Sequence, residues 1–195
     1  EDWRIRQSSV TLIGELLFLI GNTKELNEND KENSGSSHKA NSAIEEVLGI
    51  EKKNSLLASL YLARSDTSSF VRQKALQVWK TIVPQTPRVL KEIMPMYVEK
   101  VVEGLASKNE ERRNVSAFAL GDIVRKLGDL VLPSIVPHLQ NGLMSGNETT
   151  RIGICMGLTE LMQSASKKQV EDFIDMLIPA VQATLCDPSE DVREK

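Results

Sequence analysis

The sequence predicts an all-α fold, an α-solenoid of antiparallel helix pairs wound into a superhelix, and three observations predict it. An arginine returns at Arg6, Arg72, Arg113, Arg151 and Arg193, so that three of the four intervals are close to forty residues. Six residues before each of the last four stands Asp66, Ser107, Ser145 or Asp187. Around the arginines, apolar residues recur at steps of three and four, the period of a helix with one buried face.

The elements follow in order. Ile5, Ser9, Leu12 and Leu16 form a stripe around Arg6 and predict a first helix with that face inward. The stretch KELNENDKENSGSSHKANS, Lys24 to Ser42, is polar and almost free of large apolar residues, so a disordered insertion is expected over about 24–42. Removing about twenty-five residues there restores the period between Arg6 and Arg72. Val71, Ala75, Val78 and Ile82 form the second stripe. Asp66, Ser107, Ser145 and Asp187 are read as the N-caps of the helices that carry the arginines. Before each cap a further amphipathic segment is expected, as in Ile135, Leu139 and Leu143, and in Ile174, Leu177, Val181 and Leu185. Pro137 and Pro179, each fourteen residues before its arginine, are expected near the start of those segments, where a missing N–H costs little. Each unit therefore reads as helix, tight turn, helix. The chain reads as one continuous array of four to five units over 1–195, and EDWRIR at its start and DVREK at its end suggest a piece of something longer.

Composition narrows the function. With 41% hydrophobic and 26% charged residues the chain is ordinary globular material, and a net charge of −3 does not suit a dedicated nucleic-acid binder. Cys155 and Cys186 have no CxxC or Cys/His cluster around them, which suits reduced thiols and no metal site. No apolar run has the length of a membrane span, the longest candidate being LLFLI at Leu16 to Ile20. His38 and His138 lack a nucleophile at a catalytic spacing, and the acid pairs Glu45-Glu46, Glu110-Glu111 and Glu171-Asp172 read as exposed helix or turn residues. No catalytic residue, cofactor or small-molecule substrate is expected.

The period, the proline, the aspartate and the arginine together resemble the HEAT repeat family, in which the arginine commonly reaches the aspartate of a neighbouring repeat to form a ladder. Asp66 with Arg72, and Asp187 with Arg193, match both members of that pattern; Ser107 and Ser145 depart from it, which implies a weaker or rewired ladder there. Longer strings narrow the resemblance. WRIRQSSVTLIGELLF, VRQKALQVWKTIV, TPRVLKEIMP, LGDIVRKLGDLVLPSIVP and TLCDPSEDVRE are similar to the central HEAT array of the ribosome-associated co-activators of the general amino-acid control kinase, which phosphorylates initiation factor 2 alpha. The resemblance implies a cytoplasmic, ribosome-associated, non-enzymatic scaffold acting in amino-acid starvation, with the ribosome and that kinase or its adaptors as partners. The HEAT region of an elongation factor 3-like ATPase is the alternative, although no GxxxxGK[ST] loop occurs in this chain. A generic HEAT scaffold for proteins is the third.

Basic pairs are the candidate contacts. Arg112, Arg113, Arg125 and Lys126 are taken as a possible ribosome or partner surface that touches rRNA phosphate, with Lys52-Lys53 and Lys167-Lys168 as weaker cases. A solvated face with compensating acids is the competing reading for each pair. Trp79 is expected in the core between helices, and Trp3 against a helix preceding the chain. Gly14 and Gly121, each eight residues after its arginine, are expected to mark close helix approach.

Overall fold

The computed structural model describes residues 2–22, 36–83 and 85–195. Among these the regular elements are all helical: α1 (Trp3–Asn22), α2 (Ser36–Leu48), α3 (Ile50–Leu62), α4 (Ser69–Ile82), α5 (Thr86–Leu105), α6 (Glu110–Leu143), α7 (Glu148–Ser164), α8 (Lys167–Leu185) and the single turn α9 (Glu190–Arg193), with a short 3-10 turn at Ala63–Ser65. Two compact units divide the chain, Glu1–Tyr97 and Val98–Lys195.

In the first unit α1 lies against α4 and α2. Their core includes Leu17, Ile44, Leu57, Leu60, Val71, Ala75 and Trp79. The stripe expected on α1 is on the wrong side: Ile5 and Leu12 are 62% and 67% exposed, and the buried positions are Val10, Gly14, Leu17 and Gly21. The reason is that α1 is apolar on two faces, and the glycines rather than the larger residues select the one that packs. A Cβ on Gly14 would stand 2.7 Å from Val78 Cγ1, so α4 approaches too closely for any side chain there. On α4 the expected stripe holds for Val71, Ala75 and Val78.

Trp79 is core, as expected; its ring meets Tyr61 edge-on at 4.9 Å and its Nε1–H donates to Thr86 Oγ1 at 3.0 Å. Trp3 instead stacks on Phe70 at 4.8 Å, with the Arg4 guanidinium 4.7 Å from its ring. Most of the insertion expected at 24–42 lies outside the described residues. Its last part does not: Ser36 to Ser42 begins α2, a helix whose Ala43 and Ile44 are buried. Lys53, expected at the surface, is buried beside Glu45, its Nζ 2.6 Å from Oε2.

In the second unit α6 is two helices joined without a loop. Leu127, with φ −141° and ψ 34°, is the bend between them. The first half carries Arg113 and the second runs back toward the next turn. Ile135, Leu139 and Leu143 are buried as expected. On α8 only Leu177 of the four expected core residues is buried; Ile174, Val181 and Leu185 are exposed among the described residues. Pro137 and Pro179 lie inside α6 and α8 rather than near a helix start. Both are exposed, on the solvent side where a helix can bend away from an unmade hydrogen bond. Gly121 marks close approach as expected, with a Cβ placed 2.8 Å from Ser164 Oγ. Gly153 does so more severely: a Cβ there would collide with the carbonyl oxygen of Leu105.

Candidate functional site: the arginine anchors and the basic residues of α6

The anchors do two jobs, one short-range and one between repeats. In the short-range job, the arginine Nη1 donates to the carbonyl oxygen six residues earlier: Arg72 to Asp66 at 2.7 Å, Arg113 to Ser107 at 3.0 Å, Arg151 to Ser145 at 3.0 Å and Arg193 to Asp187 at 2.6 Å. These carbonyls sit in turns with no helix to satisfy them, so the guanidinium closes each turn.

The acid or serine at that position is not the N-cap. The cap falls two residues later, at Ser68, Asn109, Asn147 and Ser189. The residues expected as caps instead accept from the cap's own backbone N–H: Asp66 from Ser68 at 2.8 Å, Ser107 from Asn109 at 3.2 Å, Ser145 from Asn147 at 3.2 Å and Asp187 from Ser189 at 2.9 Å. A short side chain two residues ahead of the cap closes the turn on itself, which Asp and Ser both do. Asn109 and Asn147 are side-chain caps not among the expected ones; their signal in the sequence is the Asn-Glu pair that begins four residues before each arginine, in KNEERR and GNETTR.

The second job needs an acid. Arg6 donates through Nε to Asp66 Oδ2 at 2.8 Å and through Nη2 to Oδ1 at 3.0 Å. Arg151 donates in the same two-pronged way to Asp187, at 2.7 and 3.0 Å. Each bond therefore runs from the arginine of one repeat to the acid of the next, the ladder that the HEAT resemblance implied. At Ser145 the rung is missing, and the Nε of Arg113 is buried without a hydrogen-bond partner.

Charge follows geometry at the complete rung. The hydrogen bond from Arg151 holds the Asp187 carboxyl below its ordinary range against the opposing effect of desolvation, and the Ser189 N–H adds to it. Asp187 in turn raises Arg151. Since the folded carboxyl is the stronger acid, the rung's contribution is present above the unfolded value of about 3.9 and is lost as pH falls through the folded value. Wild-type chain and Asp187→Asn should therefore differ in stability at neutral pH and converge in strong acid, as read by urea midpoints across that range. A constant difference would contradict the ion pair.

The four basic candidates do not form one patch. Arg113 turns inward to its own turn carbonyls. Arg112 and Lys126 share a face of α6 but lie about 21 Å apart along it at 1.5 Å per residue. Lys126 pairs with Asp122 on the same helix, whereas Arg125 is exposed and has no side-chain partner among the described residues. Lys167 lies 3.7 Å from Glu171, a solvated pair. Burial pushes the Cys155 thiol up to about 11, and Cys186 is exposed; both are free. Among the described residues no helix is long and apolar enough to cross a membrane, and no three metal-ligating side chains cluster.

A family model described as "Stalled ribosome sensor GCN1, HEAT repeats" matches residues 48–195, which include four of the five anchors. The chain belongs to that family. The stalled ribosome sensor GCN1 of Homo sapiens is 45% identical over 98% of the chain. The eIF-2-alpha kinase activators GCN1 of Dictyostelium discoideum and Saccharomyces cerevisiae are 43% and 37% identical over 100% of it. The chain spans only 7%, 8% and 7% of those three relatives' own lengths. Within the GCN1 family it is a HEAT-repeat segment, and the turn-closing arginines and their acids are the repeat framework it contributes.

Proposed function

We propose that this chain is a non-enzymatic scaffold segment of a cytoplasmic, ribosome-associated translational activator that promotes activation of the initiation factor 2 alpha kinase in amino-acid starvation. The observation that carries this reading is the family match over 48–195, whose description names a stalled ribosome sensor; the Dictyostelium and yeast relatives are named as kinase activators. Those names favour the co-activator over the elongation-factor alternative. The segment belongs to one continuous HEAT array of four to five units, and its work is to hold surfaces in place rather than to turn over a substrate.

Within that reading Arg125 is the best phosphate contact in the segment. It is exposed and uncommitted, and it stands just before the bend at Leu127. Lys126 must leave Asp122 to join it. In the full-length protein, Arg125→Glu with Lys126→Glu should weaken ribosome co-sedimentation while leaving helicity intact. Exposed contacts to phosphate are screened over about 8 Å at physiological salt, so the defect should be larger at low ionic strength, where wild-type binding is tightest. Full binding by the double variant at every salt concentration would remove this pair from the ribosome contact.

A further inference from the structure

The rung missing at Arg113 has the remaining parts of a charge-paired rung in place. Arg6 and Arg151 each place Nε on an acid that stands six residues before the next anchor. Arg113 occupies the same register, and its next anchor is Arg151, so the corresponding residue is Ser145. Its guanidinium is held at the right end of α7: a Cβ on Gly153, in the first turns of that helix, would stand 3.0 Å from Arg113 Cδ. Ser145 lies three residues before α7 begins and gives its carbonyl to Arg151. Its Oγ accepts from the Asn147 N–H, as Asp187 Oδ1 accepts from Ser189. The serine thus performs the aspartate's short-range role, and its side chain has no second oxygen for the arginine of the repeat before. The consequence is the buried, unpartnered Nε of Arg113.

We propose that Ser145 is a phosphorylation site and that its phosphate completes the rung to Arg113. A phosphoserine carries close to two negative charges and three acceptor oxygens on an arm longer than that of aspartate, so one oxygen can keep the Asn147 N–H while the others reach the guanidinium. The site lies at the start of α7, where the helix dipole favours an anion. It is also open to an enzyme: Ser145 is partly exposed, and Met144, Gly146, Asn147 and Glu148 around it are exposed, Met144 by 83%. Glu148, three residues after the serine, suits a protein kinase whose substrate cleft is basic. The transfer uses a nucleoside triphosphate. The bond from Ser145 Oγ to the γ-phosphorus forms, the bond from that phosphorus to the β,γ-bridging oxygen breaks, the nucleoside diphosphate departs with the electron pair, and the hydroxyl proton passes to the kinase's base. Phosphorylation would then stiffen the joint between the two repeats that carry Arg113 and Arg151.

The test installs phosphoserine at position 145 of the full chain by an expanded genetic code and follows the Arg113 Nε–H by NMR hydrogen exchange, together with the melting temperature. Exchange should slow by about tenfold or more, the factor equivalent to a hydrogen bond of about 1.4 kcal/mol, and melting should rise. Arg113→Lys should abolish the rise. Ser145→Asp, which needs no modifying enzyme and keeps Arg113, should give a smaller protection of the same Nε–H. Unchanged exchange in both the phosphorylated and the Asp proteins would overturn the proposal, as would a rise in melting that survives Arg113→Lys. Treatment of the unmodified chain with an acidophilic serine kinase and ATP supplies the other half: phosphate mapped to Ser145 supports the assignment, and phosphate on other residues alone overturns Ser145 as the substrate.

Discussion

Trp79→Ala should cost about 3 to 5 kcal/mol of stability, as expected for emptying a large aromatic site in a core. The indole is fully buried in the first unit, edge-on to Tyr61, whose ring in turn lies 5.4 Å from Tyr97, and its N–H is satisfied by Thr86. Alanine removes the ring from this aromatic cluster, leaves a cavity bounded by close-packed helices, and strands the Thr86 hydroxyl. Trp79→Phe separates the contributions: it keeps most of the apolar contact and gives up the hydrogen bond, so its loss should be nearer 1 to 2 kcal/mol. Urea unfolding of the three proteins reads both numbers. An alanine variant that unfolds at the wild-type midpoint would mean that this cluster does not hold the first unit together.

Asp66→Ala is the second large effect, expected at about 3 kcal/mol. Asp66 is only 6% exposed, and it receives both prongs of Arg6 as well as the Ser68 N–H. Its removal leaves a partly buried guanidinium without its counter-charge and opens the turn that leads into α4. Ser107→Ala supplies the comparison, because Ser107 occupies the same turn position but accepts only the Asn109 N–H, so about 1 kcal/mol is expected there. The order of the two losses matters more than their size. Equal losses would mean that Asp66 acts only within its own turn.

The repeat was legible because it rests on local chemistry. A guanidinium that closes a turn must stand at a fixed distance from that turn, and a residue whose short side chain holds the cap's N–H must stand two before the cap, so arginines with an Asp or Ser six residues earlier survive as a readable pattern even where helix faces are ambiguous. Three readings failed where more than one physical solution was open. On α1 the larger apolar residues outweighed the glycines on paper, yet it is close approach at Gly14 against Val78 that chooses the buried face. Asp is a favoured cap, which makes the acid look like one, whereas the turn places Asn or Ser at the cap and uses the acid two residues outside it. Proline favours helix starts, but an exposed proline such as Pro137 or Pro179 is also tolerated inside a helix that bends. For the candidate contacts, sequence gave positive charge without direction: Arg112 and Arg113 are adjacent in the chain, and only their neighbours in space show that one closes a turn while the other stays exposed.

The central claim, that an arginine of one repeat is energetically tied to the acid of the next, is tested most directly by a double-mutant cycle on Arg6 and Asp66. Arg6→Ala, Asp66→Ala and the double variant are unfolded in urea alongside the wild type. The two-pronged, largely buried geometry predicts a coupling energy of about 2 kcal/mol, with the double variant far less destabilised than the sum of the single variants. Additive losses, with coupling near zero, would contradict the account and reduce the ladder to a row of independent turns.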